Sequence, residues 1–201
     1  MNETNSDPAG HHDWHSVAYV DDWITNDYTR DDERRPVLRH LAQLLPLPRD
    51  RAVRVLDIGG GYGMLSREVL DEWSDATVVL HDFSAPMFDQ ARHRLADVAD
   101  RLSFHPGDLR DSSWTAGLAA PFDAVVSALA IHNVRDPAVI RRIHRDVFGI
   151  LAPGGGFLNV DIMRPPASPE TQLGWLRDAG FARADQVWTD GARTLLAAFR
   201  V

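Results

Sequence analysis

The chain has 201 residues, 44% of them hydrophobic, which is enough for one sizeable core and too few for two comfortable domains. It contains neither cysteine nor lysine, so all 21 basic residues are arginine; disulfides, thiolate metal sites, cysteine nucleophiles and Schiff-base chemistry are excluded. A formal net charge of -8 argues against nucleic acid as a partner, and no apolar run approaches the roughly 18 residues that cross a bilayer.

Residues 1–13 lack periodicity and are expected to be disordered. They are polar where a signal peptide would carry an apolar core, so a soluble, cytoplasmic protein is expected. His11, His12 and His15 in "HHDWH" offer nitrogen ligands, yet nothing around them fixes a geometry, and no metal is expected. Residues 14–50 read as two helices. Val17, Val20 and Ile24 mark a short one; Val37, Leu38, Leu41, Leu44 and Leu45 make the apolar stripe of a second, which "PLPRD" ends. Tyr19, Trp23 and Tyr28, with Trp14, either pack these helices or line a lid over a ligand site.

From residue 51 to residue 201 strand-like and helical runs alternate. "AVRVLDI" precedes a helix over about Met64 to Trp73, and "TVVLHD" one with Met87, Ala91, Leu95 and Val98 on a single face. "LSFHPGD" leads into an irregular stretch, and "FDAVVSAL" into a helix opened by Asp136 as N-cap and Pro137. "GFLNVDIM" reads as a fifth strand after the turn "PGGG". Apolar strands separated by helices predict a parallel sheet covered on both faces, a doubly wound α/β fold. In the tail, "PETQLGWLRDAG" is a helix ended by Gly180, and "FARADQVW" and "RTLLAAFRV" are joined by an Asp-Gly turn, which makes the last pair antiparallel. The expected whole is one domain: a seven-stranded, mostly parallel sheet with a short N-terminal helical lid.

Between the first strand and its helix lies "DIGGGYG", Asp57 to Gly63. Glycines there let a ligand approach the backbone in the crevice beyond the strand ends. The dinucleotide fingerprint G-x-G-x-x-G/A fails in both registers, ending on Met64 or on Ser66. Asp57 would also repel a pyrophosphate and favour a ligand with a cation nearby. S-adenosylmethionine carries an ammonium and a sulfonium.

The pattern [D/E]-x-G-x-G-x-G, met at Asp57, Gly59, Gly61 and Gly63, resembles the cofactor loop of the class I S-adenosylmethionine-dependent methyltransferases. The resemblance runs from about Val53 to Val201. It implies that Asp82, ending the second strand, accepts the ribose hydroxyls and that Phe83 packs on adenine. "HPGDL" is similar to the family's adenine-edge motif, which implies contacts from Asp108 and the Leu109 backbone. "FDAVVSALAIHNV" resembles the fourth strand and its exit loop, placing Ser127 beside the cofactor and His132 at the mouth of the crevice. There His132 is a general base or an acceptor-positioning residue.

The acceptor is read mostly by exclusion. The [N/D/S]-P-P-[Y/F/W] segment of nucleic-acid amine methyltransferases is absent after the fourth strand, as are the cysteine of cytosine C5 enzymes and the paired glutamates of protein arginine methylation. A small-molecule acceptor remains, with Met163, Pro165 and Pro166 as possible lining. The alternatives are an S-adenosylmethionine-binding module without catalysis and a nicotinamide oxidoreductase.

Overall fold

The computed structural model describes residues 12–27, 30–48 and 51–201. Two N-terminal helices, α1 (Val17–Asp27) and α2 (Asp31–Gln43), precede β1 (Val53–Ile58), α3 (Met64–Glu72), β2 (Ala76–Asp82), α4 (Ala85–Arg94) and β3 (Leu102–Pro106). Then come β4 (Phe122–Ala128), α5 (Pro137–Ile150), β5 (Leu151–Asp161), α6 (Pro169–Ala179), β6 (Arg183–Thr189) and β7 (Thr194–Phe199). The seven strands form one sheet in the order β3-β2-β1-β4-β5-β7-β6. The first five are parallel, and β7 runs antiparallel between β5 and β6.

Strand alternation divides the core in two. Val55, Val78, Ala124, Val126, Leu158 and Val160 face α2 and α3, where they meet Leu41, Leu65 and Val69. Leu56, Val125, Phe157 and Leu196 face the other way, against Ile140, Ile143 and Val147 of α5 and Leu176 of α6. Every central strand is therefore apolar on both sides, which is why these segments read as continuous hydrophobic runs.

The caps follow local chemistry. The Asp136 carboxylate accepts from Ala138 N and Val139 N at the start of α5, and Ser84 Oγ accepts from Met87 N at the start of α4. Gly180, at φ 112, ends α6 in the left-handed conformation that a Cβ disfavours.

Two boundaries differ from expectation. The stripe Met87, Ala91, Leu95, Val98 is not one helix, because α4 ends at Arg94 and Ala96–Arg101 winds as a separate 3-10 turn with Val98 off helical geometry. Leu95 and Val98 still pack inward beyond the break, in a different part of the core from Met87 and Ala91. The segment "PGGG" does not precede β5 but lies within it: Leu151 pairs with Phe122, the register shifts, and Gly156 pairs with Ala124. A bulge absorbs the glycines, and Gly154 N donates to Arg200 O.

Among the described residues no helix is long and apolar enough to cross a membrane. The expected disorder of residues 1–13 and the histidine His11 fall almost wholly outside the described residues.

Candidate functional site

A doubly wound sheet places its crevice where strand order reverses, which here is between β1 and β4. A cleft of about 300 Å³ lies there, lined by the loops leaving β1, β2, β3 and β4 and roofed by α1, α2 and the segment before them.

The glycine turn forms its floor. Gly59, at φ 66, passes so close to the loop after β4 that a Cβ would stand 2.4 Å from the Ala130 Cβ. Gly61, at φ 52, is different, since a Cβ there would meet only Met87 Sδ, at 3.9 Å. Its missing side chain leaves open space on the cleft side. Among the sequence-predicted site residues, Asp57, Gly59, Gly61, Asp82, Phe83, Asp108, Leu109 and His132 all line this cleft. Gly63 is not among the lining residues; it is the left-handed N-cap of α3, at φ 87.

Asp57 is fully buried at the end of β1. One oxygen, Oδ2, accepts from Ser66 Oγ at 2.7 Å, and the other, Oδ1, has no protein partner. Burial pushes the carboxyl up to about 7, with the Ser66 hydrogen bond opposing and the Asp82 charge adding to the rise. A buried carboxylate with one orphan oxygen in a ligand cleft suits a cationic group, and the open space over Gly61 suits backbone approach. The residues present thus fit S-adenosylmethionine.

Asp82 sits where β2 ends, with Oδ2 accepting from Gly61 N at 2.9 Å and Oδ1 from Ser84 N at 2.9 Å. Burial raises its carboxyl above the ordinary value, and these backbone donors oppose the rise. Its two oxygens carry four lone pairs and three backbone donors bear on them, from Ser84, Gly61 and Phe83, which leaves acceptor capacity for a ligand. Ser84 closes a further link, because its hydroxyl donates to the Trp14 carbonyl at 2.6 Å.

The loop after β4 is strained where it meets the cleft: Leu129 holds φ 53, a left-handed value in a non-glycine residue. It carries His132 over the end of β5. His132 N donates to Asp161 Oδ2 at 2.9 Å, and its Nδ1 lies 2.5 Å from Asp161 Oδ1. With Nδ1 held, Nε2 is the ring nitrogen left for a ligand. Asp161, at 1% exposure, also accepts from Ile162 N. Sequence reasoning missed Asp161. The available signal was its place at the end of β5, since pairing of Ala128 with Val160 brings that end beside the β4 exit loop.

Other expectations are corrected. Ser127 does not face the cleft: it is fully buried, and its hydroxyl donates to Ile58 O at 3.0 Å, tying β4 to β1. Met163 packs instead against the core between sheet, α5 and α6, while its neighbour Ile162 lines the cleft. Trp14 and Trp23 line the cleft, whereas Tyr19 stands behind them against Trp14 with its hydroxyl on His12 Nδ1. Tyr28 lies outside the described residues. Arg34 of α2, not singled out in the sequence, is a further lining residue. No grouping of three metal-ligating side chains occurs among the described residues.

A family model described as a methyltransferase domain matches residues 55–155. The trans-aconitate 2-methyltransferase of Streptomyces avermitilis is 35% identical over 142 residues, covering 69% of this chain and 50% of that one. A highly reducing polyketide synthase of Emericella nidulans is 29% identical over 181 residues, 84% of this chain and 7% of the synthase. The chain therefore spans half or less of the length of these curated relatives. An O-methyltransferase family protein from Burkholderia thailandensis shares the fold with a TM-score of 0.77 at 22% identity, covering 92% of this chain and 60% of that one. With strand order, glycine turn and family model in agreement, the chain belongs to the S-adenosylmethionine-dependent methyltransferases.

Proposed function

We propose that this chain transfers the methyl group of S-adenosylmethionine to a small-molecule acceptor by in-line displacement, with His132 serving the acceptor. The observation that carries the reading is His132, held from behind by the buried Asp161, lining the same cleft as Asp57, the glycine turn and Asp82. The bound cofactor would supply an electrophilic methyl on a sulfonium.

The chain's own residues bind and orient. Asp57 would receive the ammonium at its orphan oxygen, the backbone of Gly59 to Gly61 would lie along the amino-acid portion, and Asp82 would accept the ribose hydroxyls. Phe83, Asp108 and Leu109 line the same cleft, where Phe83 would pack on adenine with the other two at its edge. Alignment of this kind lowers the barrier without a base. Asp161 fixes the ring orientation of His132, so that Nε2 either removes a proton from a hydroxyl or amine or, protonated, donates to an anionic acceptor. Trp14, Trp23 and Met64 supply apolar walls that exclude water. The net charge of -8 and the missing nucleic-acid signatures favour a small-molecule acceptor. The Streptomyces relative's name gives trans-aconitate as an acceptor, which makes polycarboxylates the first compounds to try.

The test is calorimetry with S-adenosylhomocysteine, then mass spectrometry for a product one methylene heavier after incubation with S-adenosylmethionine and a panel of carboxylates, phenols and amines. Binding with transfer is expected. Binding without transfer to any acceptor would leave a cofactor-binding module, and NADH binding in place of S-adenosylhomocysteine would mean an oxidoreductase.

A further inference from the structure

The turn that carries His132 is fixed on both sides. At its start Ala130 stands against the glycine turn, since a Cβ on Gly59 would come within 2.4 Å of the Ala130 Cβ, and Leu129 N donates to Val160 O of β5 at 2.9 Å. Within it Asn133 N donates to Ala130 O at 3.0 Å, and Ile131 is buried in the core that α5 covers. Anchored in this way, Ile131–Val134 winds as a 3-10 turn, and the three residues after Ile131 line the cleft: His132, Asn133 and Val134.

Asn133 puts a side-chain amide next to His132. A carbonyl oxygen only accepts, so the end of that amide turned to Leu129 O, at 3.4 Å, is its NH2, and Oδ1 is the end directed elsewhere. The residue is half-buried, and among the described residues no protein donor reaches Oδ1. An amide oxygen accepts and cannot donate, so what it adds to the cleft is a place for an O–H or N–H. Consecutive Cα atoms are about 3.8 Å apart, which lets His132 and Asn133 reach neighbouring groups of one small ligand.

We infer that Asn133 selects the methyl acceptor: its Oδ1 receives a hydrogen bond from a second O–H or N–H beside the group that is methylated, while His132 serves that group. The inference rests on the function proposed above. The acceptor class is a small molecule with two neighbouring hydroxyl or amine groups, and the apolar walls of Trp14 and Trp23 suit a flat one.

Asn133→Ala and Asn133→Asp are compared with wild type, with circular dichroism and melting temperature as checks on folding. Each protein is saturated with S-adenosylhomocysteine and titrated calorimetrically with catechol and with phenol, which lacks the second hydroxyl. Wild type is expected to bind catechol about threefold to tenfold more tightly than phenol, the worth of one hydrogen bond. Asn133→Ala should bring that ratio close to one. Asn133→Asp should keep it, because a carboxylate oxygen still accepts. The aspartate also separates selection from bracing: it lacks the N–H that holds Leu129 O at φ 53, so a residue that only steadied the turn would give two variants that behave alike. Affinity for S-adenosylhomocysteine itself should match wild type in both. Equal binding of the two probes by wild type, or binding of neither, overturns the selection by Asn133, as does a folded Asn133→Ala that keeps the wild-type ratio or an Asn133→Asp that loses it. Failure of the wild type to bind S-adenosylhomocysteine overturns the cofactor reading, and the inference falls with it.

Discussion

Asp57 makes cofactor affinity depend on pH in a direction that can be worked out. Its carboxyl is raised by burial from an ordinary 3.8 to about 7, so at pH 6 about nine-tenths of the unliganded protein carries a proton there. The cofactor's ammonium attracts the ionised form and keeps its own proton to about pH 8. Binding should therefore release close to one proton at pH 6, and affinity for S-adenosylhomocysteine should fall about fivefold from pH 7 to pH 6 and about ninefold from pH 6 to pH 5, about fifty-fold in all. The stability of the unliganded protein moves the other way. A folded pKa above the unfolded one contributes stability that is present at acid pH and is lost as pH rises through about 7. Calorimetry in two buffers of different ionisation enthalpy counts the protons directly. Asp57→Asn, which cannot titrate, should bind more weakly at pH 7.5 and change little between pH 5 and pH 7. If the variant keeps the wild-type slope, another group titrates and the account of Asp57 is wrong.

Further outcomes are expected at neighbouring positions. Asp82→Ala should weaken S-adenosylhomocysteine binding by about 1–3 kcal/mol, because it removes the ribose acceptor and strands the Gly61 and Ser84 amides; unchanged affinity would remove Asp82 from the site. Gly61→Val places a side chain in the space over the loop at a φ that L residues resist, so a folded variant with normal binding would contradict the placement of the cofactor. Asp161→Asn should leave cofactor affinity intact while slowing methyl transfer and altering its pH profile, and an unaltered rate and profile would confine Asp161 to folding. Ser66→Ala takes away the hydroxyl that opposes the rise at Asp57, so its affinity-against-pH curve should shift to higher pH; a curve coincident with wild type would mean that the hydroxyl does not govern the carboxyl.

What was legible in the sequence is what short-range chemistry decides. The cap at Asp136, the turn at Gly180 and the glycine loop each depend on residues within a few positions of one another. Asp57, Asp82 and Asp108 were readable because the end of a parallel strand puts its last residues at the crevice whatever else the fold does. Ser127 and Met163 failed for one reason: facing reverses with each residue along an extended chain, and the motif does not say which neighbour turns inward. Asp161 and Arg34 were invisible for another. Their places at the site come from pairing across the sheet and from the packing of α2, at separations over which sequence spacing carries no distance information.

Ser84 joins three parts of the molecule in one residue: its amide to Asp82, its hydroxyl to the first turn of α4 and to the Trp14 carbonyl. Anything that steadies Asp82 therefore also steadies the segment that carries Trp14, and linkage requires the effect to be mutual. The aromatic roof and the cofactor contacts then behave as two ligands of one loop, so the first part of the chain to be protected from proteolysis on cofactor binding should lie not on the sheet but around Trp14, some seventy residues earlier in sequence.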